Sequence, residues 1–135
     1  IFEALENDTR KMTERIEKSL TEAFGFSLRV VLRDAENIRM LCEQIPATWE
    51  NNEDQKTDVL FLWDEVNKIG SVGSIATNPD VDTLRYISGA IVWNIARSNY
   101  NKSGMNKFIG TKIYKNMTAR NVNTLRKINE LIHKP

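Results

Sequence analysis

Apolar residues recur every four positions near the start of the chain, the spacing that places side chains on one face of a helix. Residues 8–24 show this pattern, with apolar positions at Met12, Ile16, Leu20 and Phe24. A related spacing follows Asp34, a residue suited to cap a helix, and it stops at Pro46. The pattern therefore predicts a helix over residues 8–24 and a second one over about 34–45.

Alternating and continuous apolar runs predict four strands. Residues 27–33, SLRVVLR, show the alternation of a strand that has one covered face. Residues 57–63, TDVLFLW, form a continuous apolar run, which is typical of a central strand covered on both faces. Two further runs, at 83–87 and 90–96, flank a Ser-Gly pair, and this arrangement predicts a hairpin.

The remaining segments complete the predicted fold. Residues 104–112 and 119–132 are helical in pattern, and Thr118 is placed to cap the longer helix. Residues 47–56 are polar and residues 64–82 contain glycine, serine and proline, so both segments are predicted to be largely loops. We therefore expect an α+β fold in two layers, in which helices cover a mixed or antiparallel sheet of about four strands with ferredoxin-like elements.

The composition is that of a globular chain. Residues 1–135 fit a single domain, and their 41% apolar and 27% charged residues argue against intrinsic disorder. No run approaches the roughly 18 apolar residues of a membrane span, so no membrane partner is expected. The single cysteine, Cys42, favours a reducing compartment, which we take to be the cytoplasm. Because the chain starts at Ile1 in a strand-like pattern, we expect it to be the C-terminal portion of a longer chain.

Charge is unevenly distributed along the chain. Residues 1–85 contain 10 Lys or Arg and 17 Asp or Glu, whereas residues 86–135 contain 9 and 1, so a net charge of −7 is followed by one of +8. No acidic residue lies between Arg97 and Lys127. Such asymmetry indicates an anionic partner, either nucleic acid or a phosphorylated ligand, unless the two halves neutralise each other in the fold.

The basic stretch supplies the predicted anion-binding site. A helix that begins near Thr118 would direct free N–H groups and a partial positive charge toward this region. Arg120 can hold a phosphate or carboxylate through two hydrogen bonds. The alternative is that Arg120 and Asn121 are structural and tie the helix start to the preceding loop. The residues of the predicted site are Arg97, Lys102, Lys107, Thr118, Arg120, Asn121 and Lys127.

Catalytic and metal-binding chemistry has little support in the sequence. The only histidine, His133, has no Cys or His companion at the spacing of metal ligands, so we expect neither a metal ion nor a cofactor. Serine and cysteine nucleophiles need a neighbouring base, and a single histidine close to the C-terminus does not favour the usual pairings. No catalytic residue is therefore assigned.

The C-terminal third carries a resemblance to a known family. Residues 104–131, GMNKFIGTKIYKNMTARNVNTLRKINEL, resemble the closing signature of the bacterial family named domain of unknown function 1697. The matching positions are Thr118, Arg120, Asn121, Thr124 and Lys127. Val122 stands where many members carry tryptophan, and residues 15–38 are similar to the family's middle helix and strand. The resemblance implies a two-layer α+β fold with ferredoxin-like elements and no assigned activity. It also implies that a preceding segment with an Arg-Gly-Ile-Asn-Val-Gly motif is absent from this chain.

Three functions are open from the sequence. The leading hypothesis is a cytoplasmic domain that binds an anionic partner through its basic C-terminal surface. The second is an enzyme acting on a phosphorylated or carboxylated metabolite, in which Arg120 and Lys102 hold the anion and the general acid or base lies in the absent segment. The third is a structural or interaction module that forms a homodimer through an unpaired strand edge.

Overall fold

The computed structural model describes residues 1–4 and 7–134, and this part of the chain contains four helices and four strands. Short 3-10 helices at 64–66, 69–74, 97–102 and 114–116 connect them. The helices are α1 (Thr9–Phe24), α2 (Ala35–Gln44), α3 (Met105–Phe108) and α4 (Val122–Ile132), and the strands are β1 (Gln55–Leu62), β2 (Thr83–Ile87), β3 (Ala90–Ala96) and β4 (Met117–Asn121).

The four strands form one antiparallel sheet in the order β2-β3-β1-β4. β1 pairs with both β3 and β4, so the predicted central strand is confirmed. The hairpin between β2 and β3 is also confirmed, and Gly89 takes the positive φ of 99° that its turn requires. β1 and β2 run in the same direction, with β3 between them. β3 and β4 also run in the same direction, with β1 between them. Two pairs of parallel strands, each separated by one antiparallel strand, are typical of ferredoxin-like folds, as the sequence predicts.

Apolar side chains cover both faces of the sheet because alternate residues of each strand point to opposite sides. On one face, α2 and α4 pack over the sheet, and on the other the 3-10 segments and α3 do so. The first cluster includes Ile38, Leu41, Val59, Phe61, Val92, Val122 and Leu125, and the second includes Leu60, Leu62, Ile91, Trp93, Ile95, Met105 and Phe108. The α+β fold with a four-stranded antiparallel sheet is therefore confirmed.

Helix α1 has the predicted ends but lies apart from both clusters. Asp8 caps it by accepting a hydrogen bond from the N–H of Lys11 at 3.1 Å, and Gly25 ends it with a φ of 76°. None of its residues is buried. Its apolar stripe, including Met12 and Ile16, lines a cavity of about 460 Å³ together with Phe2.

The predicted strand at 27–33 is not a strand in the structure. The segment is irregular, and side chains rather than a neighbouring strand bind its backbone. The N–H of Val30 donates to Oε1 of Glu17 at 3.0 Å, and its carbonyl accepts from Nε1 of Trp63 at 2.9 Å. Arg33 donates to the carbonyl oxygens of Leu62 and Gly89 at the end of the sheet. Alternation alone predicted the strand, and no described segment supplies a ladder of hydrogen bonds to it.

Three other boundaries differ from those predicted. Helix α4 begins at Val122 because residues 117–121 pair with β1 as strand β4. Thr118 lies opposite Phe61 in that strand, so the prediction that it caps the helix is wrong. Asn121 is the cap, and its Oδ1 accepts from the N–H of Thr124 at 3.0 Å. The helix predicted at 104–112 shortens to α3, and the loop predicted at 47–56 ends where β1 begins at Gln55.

Within the described residues, no helix is both long and apolar enough to cross a membrane.

Candidate anion-binding site

A shallow depression of about 240 Å³ lies where the N-terminal half of β1 meets β4 and the end of β3. Three residues with cationic side chains line it, each from a different segment: Lys56 from β1, Arg97 from the residue after β3, and Arg120 from β4. The side chain of Arg120 leaves the sheet on the face that α2 and α4 cover, opposite to that of Lys56. The antiparallel pairing of β1 with both neighbours brings these distant positions together. The other lining residues are Asn51, Asp58, Ala119 and Asn121.

Arg97 is held against the loop that precedes β1. Its Nε donates to the carbonyl oxygen of Asn52 at 2.5 Å, and its Nη2 donates to Oδ1 of Asn51 at 3.2 Å. Its backbone N–H also donates to the carbonyl oxygen of Asp54 at 2.9 Å. Among the described residues, Nη1 has no hydrogen-bond partner. The guanidinium is thus fixed on two sides and keeps donors for a ligand.

Arg120 and Asn121 close the other side of the depression, at the end of β4. Arg120 is exposed and pairs across the sheet with Val59, and its Nη1 donates to the carbonyl oxygen of Ala119 at 2.7 Å. Asn121 lies opposite Asp58 and caps α4. The first turn of α4 therefore adds the partial positive charge of a helix N-terminus beside Arg120.

Lys56 and Asp58 lie two residues apart on one face of β1 and form an ion pair. Nζ of Lys56 is 3.0 Å from Oδ2 of Asp58 and 5.8 Å from the centre of the Trp93 ring. Both side chains are mostly covered, with 27% of Lys56 and 17% of Asp58 exposed. Three cations and one carboxylate give the depression a net charge of about +2 at neutral pH.

Four of the predicted site residues lie outside this depression. Lys107 and Lys127 belong to α3 and α4, which cover opposite faces of the sheet, and Nζ of Lys127 is 3.2 Å from Oε1 of Glu130. Lys102 ends the 3-10 helix at 97–102, and Thr118 lies in β4. The structure therefore brings Arg97, Arg120 and Asn121 together and separates the remaining four.

Sequence reasoning missed three residues that line the depression: Asn51, Lys56 and Asp58. Asn51 and Lys56 come from residues 47–56, which the sequence predicts to be a loop, and Asp58 comes from the predicted strand at 57–63. A signal was present, because Lys56, Asp58, Leu60 and Leu62 alternate along one strand. Extending the predicted strand at 57–63 back to Gln55 adds Lys56 to it, beside Asp58 on the same face.

The described residues form no metal-binding group. No group of three or more His, Cys, Asp or Glu side chains in the described ranges 1–4 and 7–134 is arranged to hold a metal ion. Nδ1 of His133 lies 3.0 Å from the carbonyl oxygen of Asn129, near the C-terminal end of α4.

Comparisons with known proteins agree on the fold. Residues 1–93 match the model of a family described as "Protein of unknown function (DUF1697)", a range that includes 15–38 and ends before 104–131. A similar solved structure is that of the conserved bacterial protein SP0830 from Streptococcus pneumoniae, with a TM-score of 0.77 and 22% identity over 96% of this chain and 72% of that one. No curated protein matches.

Proposed function

Since the chain belongs to the DUF1697 family of proteins of unknown function, as the sequence predicted, the family supplies a fold but no activity, and we propose that this protein binds a phosphorylated or carboxylated small ligand in the depression between Arg97 and Arg120. One observation carries the proposal. Three cations that are far apart in sequence line a single depression in which Asp58 is the acidic residue.

The donor geometry suits an oxyanion. Nη2 and Nε of Arg120 have no hydrogen-bond partner in the described part of the chain, and neither does Nη1 of Arg97. Guanidinium groups donate paired, charge-assisted hydrogen bonds to phosphate and carboxylate oxygens. Because Arg97 is already held by the loop before β1, less side-chain entropy is lost when it binds a ligand.

The placement of the cations favours a small ligand over nucleic acid. Binding a nucleic-acid backbone requires a track of cations along one surface. Lys107 and Lys127 instead belong to helices on opposite faces of the sheet. We therefore infer that one anionic group is bound near Arg97 and Arg120.

Titration of the isotope-labelled protein with inorganic phosphate, followed by amide chemical shifts, tests this function. Shift changes should centre on residues 97 and 119–123. Arg120→Ala should weaken phosphate binding by about tenfold, since a hydrogen bond to a charged group is worth roughly 1.5–3 kcal/mol. Arg85→Ala is the matched control, because Arg85 is also an exposed arginine on an edge strand but lies on β2 at the far side of the sheet. Equal losses in the two variants, or shift changes confined to other surfaces, would contradict the proposal.

A further inference from the structure

The depression contains a carboxylate that a site for a simple anion does not need. Asp58 sits among Lys56, Arg97 and Arg120, and its Oδ2 is 3.0 Å from Nζ of Lys56. A carboxylate at this position repels a phosphate and offsets the attraction of one cation. The ion pair with Lys56 accounts for Oδ2 of Asp58, so anion binding leaves only the role of Oδ1 open.

The free acceptor of Asp58 suggests what that role is. Within the described residues, Oδ1 accepts no hydrogen bond, whereas Oδ2 is engaged by Lys56. The neighbouring amides have the complementary chemistry. Oδ1 of Asn121 accepts from the N–H of Thr124, and Oδ1 of Asn51 accepts from Nη2 of Arg97. Both amides therefore have Nδ2 as their remaining polar group, which is a donor.

The depression thus offers donors for an anionic group beside an acceptor for a hydroxyl. A hydroxyl of a ligand can donate to Oδ1 of Asp58 and accept from the Nδ2 of an amide, whereas methyl phosphate, a monoester with no alcohol hydroxyl, has no such group to donate. The volume of 240 Å³ corresponds to about eight water molecules at roughly 30 Å³ each. That space accommodates one phosphate with a short polyol.

From this arrangement the geometry points to a small hydroxylated monophosphate, of the sugar-phosphate class, as the ligand of the depression, with Asp58 as the residue that selects it. The inference rests on the proposed function and adds the ligand class to it. Arg97 and Arg120 bind the phosphate group. Asp58 accepts a hydrogen bond from a hydroxyl and thereby disfavours anions that lack one.

Calorimetric titration with ribose 5-phosphate and with methyl phosphate tests the inference through the ratio of their affinities. The full chain should bind ribose 5-phosphate about tenfold more tightly, the effect of one additional hydrogen bond to a charged group. In Asp58→Asn, whose Oδ1 accepts only an uncharged hydrogen bond, this ratio should fall severalfold, and methyl phosphate should bind more tightly than to the unmodified chain because a repelling charge is removed. Asp58→Glu, which keeps the carboxylate, should retain a preference for the sugar phosphate.

Each other outcome overturns the inference in a distinguishable way. If both ligands bind with the same affinity, or if Asp58→Asn leaves the ratio unchanged, the ligand class is wrong while anion binding stands. If neither ligand binds and single-stranded RNA does, the proposed small-ligand function fails as well. Amide spectra of the Asp58 variants that match those of the unmodified chain exclude misfolding as the cause.

Discussion

The indole Nε1–H of Trp93 donates a hydrogen bond of 2.9 Å to Oδ1 of Asp82, and both side chains are buried. Oδ1 also accepts from Oγ of Ser103 at 2.6 Å, while Oδ2 accepts from the N–H groups of Asn78 and Gly104, each at 2.8 Å. Burial by itself raises the pKa of a carboxyl group, but these four hydrogen bonds outweigh it and hold the pKa of Asp82 below its usual value. The carboxylate thereby joins the segments before β2 and after β3 to the sheet.

Replacing Asp82 with asparagine should destabilise the protein in a pH-dependent manner. Because the folded-state pKa of Asp82 is lowered, its contribution is complete above the unfolded value of about 3.9 and is lost as pH falls through the folded-state pKa. Asp82→Asn should lower the free energy of unfolding by about 2 kcal/mol at neutral pH. Urea unfolding at neutral pH and at pH below about 4 should show the difference from the unmodified protein shrinking in acid.

Asp80→Asn is the matched control, since Asp80 is exposed and only two residues away. Its free energy of unfolding should stay within about 0.5 kcal/mol of the unmodified protein. A deficit in Asp82→Asn that is the same in acid as at neutral pH would show that the charge of Asp82 is not what stabilises the fold.

Gly104 is required for space rather than for backbone conformation. Its φ of −73° is accessible to any residue, but a Cβ atom there would lie 2.3 Å from the carbonyl oxygen of Ala76. Gly104→Ala should therefore reduce stability by about 2 kcal/mol because the backbone of Ala76 has to move. Gly73→Ala, whose Cβ would meet nothing within 4 Å, should have no such cost in the same urea unfolding experiment. Equal effects of the two substitutions would rule out the steric explanation.

The start of α4 can be tested by exchanging its two candidate caps. Asn121→Ala removes the side chain that accepts from the N–H of Thr124 and should cost about 1 kcal/mol of unfolding free energy. Thr118→Val keeps a β-branched side chain opposite Phe61 in β4 and should cost clearly less. Chemical denaturation of both variants gives the comparison. A larger loss for Thr118→Val would restore the sequence-based assignment of the cap.

The parts of the fold that depend on local patterns were predictable from the sequence. The spacing of apolar residues located α1 and α2, and a Ser-Gly pair located the hairpin, because both signals act over a few neighbouring residues. The segment at 27–33 shows the limit of this reasoning. Its alternation is that of a strand, but a strand exists only where another segment pairs with it, and pairing is not a local property.

The candidate site was predictable only where it depends on charge. Arg97, Arg120 and Asn121 were identified from the acid-free basic stretch, whereas Lys56 and Asp58 join them through the register of β1 with its two neighbours. The same basic stretch contains Lys102, Lys107 and Lys127. These residues lie in the 3-10 helix at 97–102, in α3 and in α4, and so outside the depression. Proximity in sequence therefore does not predict which cations share the depression, whereas strand pairing adds Lys56 and Asp58 to it.

Salt dependence separates a local phosphate site from a nucleic-acid surface. If one phosphate group binds near Arg97 and Arg120, its affinity should fall by no more than about tenfold between roughly 50 and 200 mM salt, since few counterions are released. A surface that also engaged Lys102, Lys107 and Lys127 along a polynucleotide should lose about a thousandfold over the same range. Dissociation constants of inorganic phosphate and of a short single-stranded oligonucleotide, measured at both salt concentrations, give the two slopes. A steep slope for an oligonucleotide that binds more tightly than phosphate would mean that the basic surface acts as a whole and that the depression is only part of it.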